Sequence, residues 1–254
     1  MNAIGPDLVL LLQLLAVLAL LSVADRWLHR HLQGVMFLLT GDEELALWLY
    51  AIILFPGVLL HEMSHALTAK LLGVKIGRMR LLPSRADRRI QLGFVAVQDT
   101  DFLRASLIGA APLLVGSLVV IVIGHFIFGT PEIIAALADG NWLSGFEELA
   151  QVLKAPDVWL WVYLVFTIAN TMLPSRSDVH AWPALAVAGV VIAGLLVYVG
   201  LAPVVLASVG QALTGAVQWV VLLGASTLLV DLPFFAGIFL VQKLLETLKG
   251  VRLT

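Results

Sequence analysis

His61-Glu62-Met63-Ser64-His65 sets two imidazoles four residues apart. On a helix that spacing is about 6 Å along one face, which suits two ligands to a single metal ion. Glu62, beside the first histidine, is placed to act as general base toward a metal-bound water. The run Leu47-Trp48-Leu49-Tyr50-Ala51-Ile52-Ile53-Leu54-Phe55 precedes the motif, and Ala66-Leu67-Thr68 follows it. A carboxylate and two imidazoles inside such an apolar run are costly in a membrane and by default mark a functional site. The plainer alternative is a polar patch on the face between two helices.

A catalytic zinc takes three protein ligands and keeps a fourth position open for water. The chain has no cysteine, which excludes thiolate ligands, cysteine nucleophiles and disulfides and leaves His, Asp or Glu as the third ligand. Asp178 follows the apolar segment that ends in Asn170-Thr171-Met172-Leu173-Pro174. Asp231 sits within the last apolar run, just before Leu232-Pro233, and His180 and His125 complete the candidates. Asp231 also reads as a structural hydrogen-bond partner at a Pro-kinked helix.

The elements that must position these residues are membrane spans. Hydrophobic residues make up 61% of the 254 and charged residues 13%, about half the charged share of a soluble domain. This composition predicts an all-α polytopic membrane protein, a single membrane domain over 1–254, with no sign of a nucleic-acid partner. Apolar windows of about 20 residues fall near 7–25, 46–72, 102–128, 156–174, 182–205 and 213–245, so about six transmembrane helices are expected. No Lys or Arg precedes the first window, so it reads as a retained span rather than a cleaved signal.

Charge placement supplies an orientation. With the N-terminus cytoplasmic, the loop 73–104, the turn 175–181, the C-terminal tail and the adjoining span ends hold Lys70, Lys75, Arg78, Arg80, Arg85, Arg88, Arg89, Arg104, Arg176, Lys243, Lys249 and Arg252. The opposite side keeps Arg26, Arg30 and Lys154. The positive-inside rule then places both termini in the cytoplasm. His29 and His31, beside Trp27 and Arg30, read as interfacial anchors. In the loop 73–104, Ile90, Leu92 and Phe94 alternate with Gln91, Gly93 and Val95, a period-two strand pattern. An earlier run, 74–82, is separated from it by the turn-rich stretch 83–87. Together they predict a small cytoplasmic β-hairpin between the second and third spans. An irregular basic loop lying on anionic headgroups is the alternative.

At these residues the chain resembles the site-2 proteases, the intramembrane zinc metalloproteases. Those proteins pair His-Glu-x-x-His in one membrane helix with a later Asn-x-x-Pro…Leu-Asp-Gly segment that supplies an aspartate ligand. Asn170 and Asp178 keep the eight-residue separation of that segment. Pro174 stands one position later than the family's first proline, and Ser177 and Val179 replace the Leu and Gly that flank the aspartate. Gly109-Ala110-Ala111-Pro112 resembles the family's Ala-Gly-Pro stretch, which packs close to the catalytic helix. The resemblance covers roughly residues 46–182, which it implies as the catalytic core.

The resemblance implies Zn2+ held by His61, His65 and Asp178, Glu62 as general base, and Asn170 as a polar group near the substrate carbonyl. Asn170 equally suits capping of backbone groups where its helix ends. The implied activity is hydrolysis of a peptide bond in the transmembrane helix of a partner protein, in a bacterial or archaeal cell membrane. The hairpin would hold the unwound substrate by strand addition. One rival is a catalytically silent, site-2-protease-like subunit that binds or scaffolds a partner complex. Another, a transporter relaying protons through Glu62 and Asp231, leaves the histidine spacing unexplained.

Overall fold

The computed structural model describes residues 6–86, 89–130, 132, 133, 136, 139–175 and 177–251. Asp87, Arg88, Arg176 and Arg252, which enter the charge and turn readings above, lie outside them. Among the described residues the order is α1 (Pro6–Thr40), α2 (Glu43–Leu71), β1 (Ile76–Arg80), β2 (Ser84–Ala86), β3 (Arg89–Gln91) and β4 (Phe94–Val97). There follow α3 (Phe102–Phe126), α4 (Trp142–Val152), α5 (Val158–Thr171), α6 (Trp182–Leu196) and α7 (Ala202–Lys249).

Among the described residues, five helical segments are long and apolar enough to cross a membrane: Leu8–Thr40, Glu43–Leu71, Phe102–Phe126, Trp182–Leu201 and Ala207–Lys249. The expected span near 156–174 is α5, a helix of 14 residues. At about 21 Å it falls short of a hydrocarbon core of roughly 30 Å. Five helices, rather than six, therefore reach spanning length by themselves. The segment before α5, expected as an outer loop, contains α4, capped by Asn141 Oδ1 accepting from the Ser144 N–H. Its exposed Trp142, Leu143, Phe146, Leu149 and Leu153 recur at helical spacing, an amphipathic pattern suited to lying in the membrane interface.

The sequence reading treats 1–254 as one domain; the chain groups into two compact units, one of Met1–Tyr50, Asp101–Ser106 and Val179–Thr254, the other of Ala51–Thr100 and Leu107–Asp178. In the first unit α1 and the start of α2 are joined by Gly41 and Asp42. Gly41 takes a left-handed φ of +70°, and Asp42 Oδ1 accepts from the Leu45 N–H. The short link makes them antiparallel, and His29 ties them together. Its Nε2 lies 3.0 Å from Asp25 Oδ1 and its Nδ1 2.6 Å from the Tyr50 hydroxyl. His31 instead stacks on Trp27.

Helix α7 packs along α1 in parallel. Gly224 sits against Val17 and Leu21, Phe235 meets Trp27 edge-on at 4.9 Å, and the Lys249 ammonium donates to the Leu38 carbonyl. Six alternating crossings with both termini on one side would make the first and last spans antiparallel. Apolar windows locate spans but carry no information on their mutual direction. Helix α6 buries none of its residues, and a kink at Gly200 (φ +84°) separates it from α7.

The second unit is built on α2, α3 and α5. Helix α2 ends in a Schellman turn: the Gly73 N–H donates to the Lys70 carbonyl and the Val74 N–H to that of Ala69. Val74, Ala69 and Ile108 then form one buried cluster, which Val97 joins from β4. The expected hairpin is present. β1 pairs antiparallel with β4 in the register Ile76↔Val97, Met79↔Val95 and Arg80↔Phe94, and β2 pairs with β3. Helix α5 runs parallel to α2. The Tyr163 hydroxyl donates to the Ile53 carbonyl at 2.8 Å, one turn before Pro56. Gly57 faces the Thr167 carbonyl so closely that a Cβ there would lie 2.2 Å from its oxygen. Helix α3 runs antiparallel to both, with Gly116 against Met172 and Ile168.

Candidate metal centre

Gly57, His61 and His65 recur every four residues, so they share one face of α2. The bare Gly57 lets α5 approach that face, and the chain leaving α5 carries Asp178 to the level of the two histidines. His65 Nε2 lies 3.2 Å from His61 Nε2 and 3.2 Å from Asp178 Oδ1. His61 Nε2 is 3.8 Å from Asp178 Oδ2. The potential ligand atoms of His61, His65 and Asp178 all lie within 4.8 Å of one another, and this is the group among the described residues able to hold a metal ion.

Each ligand has its own support. His65 Nδ1 is 2.9 Å from the Ile108 carbonyl of α3. A carbonyl only accepts, so Nδ1 carries the proton and neutral His65 turns a bare Nε2 toward the other two donors. Asp178 is seated by Ser175, whose N–H donates to Oδ2 at 2.7 Å while the Asp178 N–H returns a bond to the Ser175 hydroxyl. Burial works to raise the Asp178 pKa, but hydrogen bonds from the imidazolium form of His65, in which Nε2 carries a proton as well as Nδ1, and from Ser175 outweigh it and hold the carboxyl below its ordinary value. His61 Nδ1 is buried and makes no hydrogen bond. Two imidazole nitrogens and a carboxylate facing one another repel unless a cation lies among them, so the donor set fits a metal ion.

Glu62 is buried beside this group. The link between β3 and β4 reaches it: a Cβ on Gly93 would stand 2.7 Å from Glu62 Cγ and Oε1 and 2.9 Å from Val58. Asn170 is buried in α5, where its Nδ2 donates to the Phe166 carbonyl at 2.9 Å. That bond lies within its own helix. Of the other candidate ligands, His125 and His180 are exposed, and Asp231 is buried in α7 of the first unit.

Sequence reasoning does not single out Ser175, although Ser-x-x-Asp over 175–178 has the spacing of a capping box. The Ile108 carbonyl and Gly93 leave no comparable mark. No protein-family model, curated protein or solved structure matches the chain. A functional reading therefore rests on the chemistry of this group.

Proposed function

We propose that the chain is an intramembrane zinc metalloprotease, an endopeptidase of site-2 protease type that hydrolyses a peptide bond in a partner's transmembrane segment. The observation that carries this reading is the convergence of His61, His65 and Asp178 beside Glu62. With facing donor atoms separated by 3.2, 3.2 and 3.8 Å, His61, His65 and Asp178 would hold one zinc ion between them. When bound, zinc supplies an activated water and polarises the scissile carbonyl.

The chain's own residues do the rest. Ile108 and Ser175 keep His65 and Asp178 aimed at a common point. Glu62 accepts the proton of the attacking water as the oxygen–carbon bond forms. It then delivers that proton to the amide nitrogen as the carbon–nitrogen bond breaks. A helical substrate must unwind first, and the free edges of the β1–β4 hairpin suit an extended segment by strand addition. Asn170 would exchange its bond to Phe166 in order to meet the substrate carbonyl. The basic loop around the hairpin favours a cytoplasmic position for it in a bacterial or archaeal cell membrane.

The seating of Gly93 on Glu62 favours one second reading, a silent subunit that holds a partner without cutting it. The full-length protein purified with one equivalent of zinc supports the enzyme, and a metal-free preparation supports the silent subunit. Glu62→Gln is expected to lower cleavage of a membrane substrate by about 10²-fold or more while metal content is unchanged. Cleavage at the wild-type rate in that variant would remove the mechanism.

A further inference from the structure

Helix α3 passes the site at Ile108, whose carbonyl receives His65 Nδ1 at 2.9 Å. In an uninterrupted helix that carbonyl belongs to the amide of the residue four positions on. Here that residue is Pro112, inside α3, and proline has no N–H to give. The pyrrolidine ring also crowds the carbonyl four residues before it and tilts it off the helix axis. Both effects act on the one acceptor that His65 uses.

We infer that Pro112 is a positioning residue for the metal ligand His65. By withdrawing the helical partner of the Ile108 carbonyl, it leaves an acceptor for the Nδ1 proton. That bond selects the tautomer and orients the ring so that Nε2 faces His61 and Asp178. Ring orientation by an outer hydrogen bond is the usual means by which a protein tunes a histidine ligand. The same turn of α3 seats Asp178. Gly109, next to Ile108, lies so close to the Asp178 backbone that a Cβ would stand 2.0 Å from its carbonyl oxygen. One turn thus admits one ligand by lacking an N–H and another by lacking a side chain. A second acceptor lone pair on Ile108 would still permit a weak bond to His65 beside a restored helical one. The expected effect of restoring it is therefore a graded loss and not abolition.

The inference rests on His65 as a metal ligand, and its test reads metal binding and tautomer rather than cleavage. In the purified full-length protein, Pro112→Ala restores the N–H and is expected to weaken zinc binding about 10- to 100-fold, measured by competition with a chromophoric chelator. Replacement of Pro112 by lactic acid, which puts an ester oxygen where alanine has its N–H, is expected to keep the wild-type affinity. Zinc binding by Pro112→Ala equal to wild type overturns the inference. Equal weakening in the ester variant overturns it too, because it assigns the effect to the lost ring. Nitrogen-15 spectra of metal-free wild type supply a reading independent of any variant's folding: His65 should be protonated at Nδ1, and an Nε2–H tautomer sinks the idea. Wild type that binds no zinc defeats the proposed enzyme, while the tautomer still tests Pro112.

Discussion

Asp178 is a carboxylate whose protonation is set by two neighbours. Hydrogen bonds from His65, once acid has protonated its Nε2 as well, and from Ser175 favour its ionised form against the cost of burial. A carboxyl with a depressed native pKa binds fewer protons folded than unfolded, so stability rises with pH across that window. The contribution is complete above the ordinary aspartate value of about 4 and is lost as pH falls through the depressed one. For metal-free protein in detergent, the melting temperature is expected to drop more steeply on acidification below pH 4 in wild type than in Asp178→Asn. Equal slopes would show that Ser175 and His65 do not hold the carboxylate. At this scale the sequence is informative about residue type. It marks His61, Glu62 and His65 by local spacing, but not Ser175, whose value depends on which way the turn after α5 points.

Glycines set how closely the elements approach. Gly57 brings α5 against the ligand face of α2, with no room for a Cβ beside the Thr167 carbonyl oxygen. Backbone cannot yield as a flexible side chain does, so Gly57→Ala is expected to push the helices apart. A loss on the order of 3 kcal/mol in stability should appear in denaturant titration, accompanied by weaker zinc binding as Asp178 moves away. Gly189→Ala, where nothing stands within 4 Å of the added carbon, serves as the neutral comparison. Helix α2 was legible from its apolar run and from Gly73 at its end, and the hairpin from its alternation and turn. The length of α5 and the existence of α4 were not. Hydropathy windows average over about 20 residues and blur a short helix into its surroundings, and α4 has an apolar face instead of an apolar run.

For the molecule as a whole, the parallel packing of α1 and α7 bears on topology. The Lys249 contact to the Leu38 carbonyl places the end of α7 beside the turn that joins α1 to α2. Both α1 and α7, at about 52 and 72 Å by helix rise, exceed the hydrocarbon core. The two ends should therefore emerge on one side of the membrane. The chain has no native cysteine, so single cysteines at Glu44 and Val251 can be labelled with an impermeant maleimide in sealed vesicles of known orientation. Labelling of both from the same side is expected. Labelling from opposite sides would restore the six-span scheme and exclude the parallel pair. The positive-inside count assigns loops to sides by alternation, so one helix that does not complete a crossing would reverse every later assignment.

By itself the sequence determined what is encoded over a few residues. The four-residue spacing aligns His61 and His65, the composition makes helices long and apolar enough to cross a membrane, and the alternation in the loop after α2 makes strands. Tertiary structure alone decided which carboxylate joins the histidines, because Asp178 is 113 positions beyond His65 in the chain and arrives only through the packing of α5 and α3 on α2. That packing depends on absent groups: the missing side chains of Gly57 and Gly109 and the missing N–H of Pro112. Glycine and proline in a sequence say that the backbone can do something unusual there. Only the neighbour across the contact says what it is.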